Sequence, residues 1–133
     1  MLSWFEKHSK ISWVITVLIA ISIFYMSTKT ASSFPSYGSN LYSILYHLLA
    51  FFFLSLFLSI SLVKGKRKNF LLISITAAIL YALTDEIHQF FVPGRSSSLK
   101  DAFTDAVGIS FASLVYFITI IYRQKKARIK TLV

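Results

Sequence analysis

The chain has 133 residues, 56% of them hydrophobic and 14% charged, against about 25% charged in an ordinary soluble domain. That leaves too few charges for a water-facing surface, and the apolar residues gather into long runs, so the class is one small membrane domain over residues 1–133. The net charge of +9 does not mark a nucleic-acid binder, because eleven of the fourteen Lys and Arg stand in three short flanks beside apolar runs, and the absence of cysteine excludes disulfides and thiolate chemistry.

Residues Met1 to Lys10 form a short amphipathic lead, with Trp4 and Phe5 suited to a membrane interface and simple anchoring as the expected role. Residues 11–26 are the first apolar run. A basic flank precedes it and small residues follow, as in a signal peptide, but a retained helix places every basic flank on one side and is the expectation. Residues Ser27 to Asn40 are rich in Ser, with Pro35 and Gly38, and read as a loop. The second span covers 41–63 and carries His47. Lys64 to Asn69 is a tight basic turn. The third span, 70–92, starts apolar and becomes polar near its end. Pro93, Gly94 and Ser96 to Ser98 break it, and the fourth span, 99–122, leads into a basic tail. The fold class is therefore all-α: four transmembrane helices in a compact bundle.

The flanks Lys7 and Lys10, Lys64 to Lys68, and Arg123 to Lys130 fall on one side of such a bundle. Only Lys29, Arg95 and Lys100 fall on the other. By the positive-inside rule both termini are expected in the cytoplasm, with the loops after the first and third spans facing out.

Four of the five acidic residues lie between Asp85 and Asp105. Ionisable groups inside a membrane segment cost stability and mark function. At 1.5 Å per residue, His47, Asp85 and Asp105 each lie about 9–10 Å below the outer ends of their helices, so three helices bring them to one level. Asp85 and Gln89, four apart, share a face that Tyr81 continues and His88 borders. Asp101, Asp105, Gly108 and Ala112 form a stripe on the fourth span, with carboxylates above and small residues below. Small residues allow close approach, and this stripe is expected to pack against the third span. Asp85, Glu86, Asp101 and Asp105 outnumber Arg95 and Lys100 by two. Protonation, a bound cation or a cationic ligand would each relieve the surplus. His47, His88 and the four carboxylates suit Zn²⁺ or Mn²⁺ by ligand type, but no spacing matches a known metal signature and no cofactor is assigned. A purely structural polar clasp is the alternative to a functional site.

The run from Asp85 to Gly108 carries Asp-Glu-x-x-Gln, then Pro-Gly-Arg, then Asp101, Asp105 and Gly108 at spacings of four and three. With His47 early in the second span, it resembles the signature of the VanZ-like family. The chain departs from that pattern where Ser43 and Ile44 replace an Asp-Lys pair, and where Asp105 replaces an Asn. The resemblance implies a bacterial envelope protein, multi-pass in the plasma membrane, that modulates susceptibility to glycopeptides such as teicoplanin.

The expected site is an outward-facing polar pocket that binds or modifies a lipid or cell-wall-related ligand. Asp85, Glu86 and His47 are the candidate catalytic residues, and Gln89, Arg95, Asp101 and Asp105 the candidate ligand-binding residues. Arg95 would grip a phosphate or carboxylate, Asp105 would orient His47, and Gly108 and Ala112 would serve packing. Whether the site is enzymatic is left open. A non-catalytic accessory protein is the alternative, and proton- or cation-coupled transport ranks below both. The lipid bilayer is the one assigned partner, and no oligomeric state is assigned.

Overall fold

The computed structural model describes residues 2–30, 39–95 and 98–130, and these are helical apart from short turns. The order is α1 (Leu2–Lys7), α2 (Ser9–Ser27), α3 (Ser39–Val63), α4 (Phe70–Phe90) and α5 (Leu99–Lys130). The last four are long and apolar enough to cross a membrane. The tip of the expected loop, residues 31–38, lies outside the described residues, as do Met1, Ser96 and Ser97.

The bundle is inverted relative to a water-soluble protein. The buried residues of α2 are Ser12, Thr16, Ile23 and Ser27, whereas Val14, Val17, Leu18, Ile21 and Phe24 are exposed. In α4 the buried stripe is Ser74, Ala78, Ala82, Asp85, Glu86 and Gln89. Lipid is as apolar as leucine, so helices associate there through close packing and interhelical hydrogen bonds. Hydroxyls supply several such contacts: Ser59 Oγ to Ser74 Oγ at 2.9 Å joins α3 to α4, Ser55 Oγ to Ser113 Oγ at 3.2 Å joins α3 to α5, and Thr16 Oγ1 to Ser61 Oγ at 3.5 Å joins α2 to α3. Ser55 also donates to the Ile109 carbonyl oxygen at 3.3 Å.

α3 is the central helix. It contacts each of the others, most extensively α5, whereas the backbones of α2 and α5 do not come within 8 Å of each other among the described residues. Two apolar layers flank the mid-plane. Ile23, Phe51, Leu54, Ala78, Ala82 and Ile109 form one. Ile60, Val63, Tyr116 and Ile120 form the other, and Leu2 and Phe5 of α1 pack onto it.

Gly108 corrects the expected packing of the small-residue stripe. A Cβ there would lie 2.5 Å from the Leu48 carbonyl oxygen and 3.2 Å from the Phe52 nitrogen. The glycine therefore stands against the backbone of α3, the second span, and not against α4. Ala112, buried one turn on, is followed by Ser113, which bonds Ser55 of α3. The 3.6-residue period names the face that is buried, but not the neighbour that covers it.

Two helix ends differ from expectation. α4 stops at Phe90 rather than Val92, because Pro93 disfavours helical geometry at the preceding residue. Val92 N donates to Gln89 O at 3.0 Å, and Gly94 (φ 78°) completes the turn. α5 continues to Lys130, through the exposed basic tail. Residues 123–130 of that tail are mostly good helix formers with no Gly or Pro among them. Thirty-two residues at 1.5 Å each give about 48 Å, so the last part projects past a hydrocarbon layer of about 30 Å.

Candidate functional site

The polar residues of α3, α4 and α5 meet at the end of the bundle that carries the α4–α5 turn. His47 Nδ1 stands 3.0 Å from Asp105 Oδ1, and both side chains are buried. The approach permitted by Gly108, one turn along α5, holds this pair together. A carboxylate can only accept, so the imidazole donates from Nδ1 and keeps its other nitrogen for a proton or a ligand.

On α4, Gln89 Nε2 donates to Asp85 Oδ2 at 2.8 Å, as their four-residue spacing requires. Glu86 Oε2 accepts the Ser98 backbone N–H at 2.9 Å, which ties the start of α5 to α4. Asp105 is 0% exposed, His47 2% and Glu86 6%. These groups pack against one another, and the part-exposed Arg95 and Asp101 form the rim. Asp101, in the first turn of α5, and Glu86 both lie within electrostatic reach of His47. Lys100 is exposed.

Two carboxylate oxygens in this cluster, Glu86 Oε1 and Asp105 Oδ2, have no hydrogen-bond partner among the described residues although both are buried. An unsatisfied buried acceptor costs about 1–3 kcal/mol, more when charged, so both atoms are available to a proton or a ligand. His47, Glu86 and Asp105 each offer one ligand atom, and these lie within 4.8 Å of one another. Asp85 is engaged by Gln89. His88, also considered as a ligand, lies against Phe24 of α2 with the rings tilted and their centroids 4.7 Å apart. Tyr81 likewise turns to α2, donating to Ala20 O at 2.7 Å.

Sequence reasoning passed over Tyr46. Its ring lies 5.6 Å from that of His47, edge to face, and it is within electrostatic reach of Asp85, Arg95 and Asp105. As the residue beside His47 it carried no periodic signal, and only its equal depth in the span could have pointed to it.

A second polar cluster lies at the opposite end, where the lead peptide was expected only to anchor. Glu6 Oε1 accepts from Tyr116 Oη at 3.0 Å, and Glu6 Oε2 from Arg123 at 2.9 Å. Tyr116 Oη in turn accepts the Gly65 N–H at 3.2 Å. Gly65 has φ 67°, the left-handed region that favours glycine, and a Cβ there would meet Glu6 Oε2 at 2.8 Å and press on that carboxylate. The signal available in the sequence was a lone acid, the only one outside Asp85–Asp105, set among basic flanks.

No curated protein and no solved structure matches the chain. A family model described as VanZ/LLP1 matches residues 6–122. The match begins at the residue that clasps α5 and runs through all four membrane-spanning helices, with the acidic cluster inside it. The chain is a multi-pass membrane protein that belongs to the VanZ/LLP1 family.

Proposed function

We propose that the cluster of His47, Asp85, Glu86, Gln89, Arg95, Asp101 and Asp105 binds or modifies a lipid or cell-wall-related ligand. It does so near the outer leaflet of a bacterial plasma membrane, and through that ligand modulates susceptibility to glycopeptides such as teicoplanin. The observation that carries this reading is the pair of buried carboxylate oxygens beside His47 that have no partner among the described residues, in a membrane where such groups are costly.

His47, with Asp105 behind it, is suited to move a proton. Asp85 and Glu86 are the candidate acid or base, and Arg95 at the rim offers a planar fork for a phosphate or carboxylate. The outward placement rests on the charge asymmetry of the flanks.

The test compares lipid and muropeptide profiles, teicoplanin susceptibility and membrane abundance in cells carrying wild type, Asp85→Asn, Arg95→Ala or both. Each single variant is expected to accumulate as folded protein and to abolish the effect, and the double variant to stay inactive. Restored activity in the double variant would leave a structural ion pair and defeat the proposal. A changed lipid or muropeptide species favours an enzyme, whereas an unchanged profile with altered antibiotic binding favours an accessory protein.

A further inference from the structure

We propose that His47, Glu86 and Asp105 bind one divalent cation. Their ligand atoms lie within 4.8 Å of one another, and all three residues are buried. Zn–ligand bonds of about 2.0–2.2 Å span ligand pairs up to about 4.4 Å apart, so small inward side-chain movements bring all three onto a single ion.

The second observation is independent of proximity. Glu86 Oε1 and Asp105 Oδ2 are buried without partners among the described residues, while the other oxygen of each carboxylate is already held. Glu86 Oε2 takes the Ser98 N–H, and Asp105 Oδ1 takes His47. Glu86 is thus fixed from one side by a backbone N–H and left open on the other, as outer hydrogen bonds orient metal ligands, while the Asp105–His47 contact sets the other two ligands side by side. Charge points the same way. Asp85, Glu86, Asp101 and Asp105 outnumber Arg95 and Lys100 by two, the charge of one divalent ion.

One imidazole and two carboxylates suit Zn²⁺, Mn²⁺ or Fe²⁺, whereas Mg²⁺ and Ca²⁺ prefer oxygen alone. Three protein ligands also leave a coordination position open, as in catalytic sites. This deepens the reading above and rests on it for the ion's purpose: the open position would take a phosphate or carboxylate oxygen of the ligand.

The rival is a single proton shared between the two carboxylates, which would satisfy both oxygens and predicts no ion. The full-length protein, purified in detergent and stripped with a chelator, is titrated with Zn²⁺ and separately with Mn²⁺. Bound metal is measured by mass spectrometry after desalting. We expect one ion per chain and a raised melting temperature. His47→Ala, Glu86→Gln and Asp105→Asn should each weaken binding by at least about 100-fold, the upper end of what loss of an outer-shell partner alone costs. His8→Ala, at the far end of the bundle, should bind as wild type does.

A wild type that takes up neither metal overturns the inference whatever the variants do, as do variants that bind undiminished. Should the variants fail to fold, Co²⁺ loading of the wild type decides: visible bands of a nitrogen–oxygen site support the ion, and a spectrum of hydrated Co²⁺ overturns it. An ion-free wild type whose Arg95→Ala variant still alters the lipid profile would defeat the ion alone. An ion lost from Asp105→Asn with every cellular profile unchanged would uphold the ion and defeat the ligand reading.

Discussion

Gly108→Ala adds one methyl group at the closest approach of α5 to α3. Its Cβ would lie 2.5 Å from the Leu48 carbonyl oxygen, where ordinary contact begins at 3.4 Å. The obstructing atom is backbone, so no rotamer change relieves the clash, and the helices must part locally by up to 0.9 Å, the difference between those two distances. The His47–Asp105 bond, now 3.0 Å, would stretch past hydrogen-bonding range, and the Ser55–Ser113 contact at 3.2 Å would weaken. Overpacking costs about 1–3 kcal/mol, and a buried group left unpaired adds about 1–3 kcal/mol. The expected destabilisation is therefore about 2–6 kcal/mol, and Gly108→Leu should be worse. Thermal unfolding in detergent measures it, with Val107→Ala as the control, since Val107 lies on the exposed face of α5. A Gly108→Ala protein as stable as wild type would refute the close α3–α5 contact.

Tyr116→Phe removes the hydroxyl shared by Glu6 and Gly65 and should cost about 1–3 kcal/mol, read as a lower melting temperature. Arg123→Ala should cost less, about 1 kcal/mol or below, because Arg123 is part-exposed and water screens the pair. Reporter fusions after Val133 and within residues 32–40 should place the first in the cytoplasm and the second outside. A C-terminal reporter active only outside the cell would reverse the orientation and with it the outer site. Ser59→Ala strands Ser74 Oγ only partly, since that hydroxyl also donates to Leu71 O at 2.8 Å. Its cost should stay near 1 kcal/mol, whereas a loss of several kcal/mol would mean that the α3–α4 seam depends on this one bond.

The four spans were legible because hydropathy over some twenty residues is a strong signal. The site was legible in part because Asp85 and Gln89 are neighbours by helical spacing alone, and because His47 and Asp105 sit at matching depth. Pairing of Gly108 with α3 was not legible, since periodicity carries no information about which helix lies opposite. Nor were Ser55, Ser59, Ser74 and Ser113: a serine within an apolar run looks the same whether it bonds its own helix or the next. Glu6 meets Tyr116 and Arg123 across 110 and 117 residues, a separation that no local pattern spans. The helical tail was missed for another reason. Hydropathy ends at Tyr122, but helix propensity does not.

The Glu6 clasp also bears on how the chain is made. Translation delivers α1 more than a hundred residues ahead of the tyrosine and the arginine that fix its carboxylate. Until the fourth span is inserted, the amino-terminal helix has its seat on α3 but not its lock. Insertion and closure are thus separate events, and a chain truncated before Tyr116 would hold every earlier span with its beginning left unfastened.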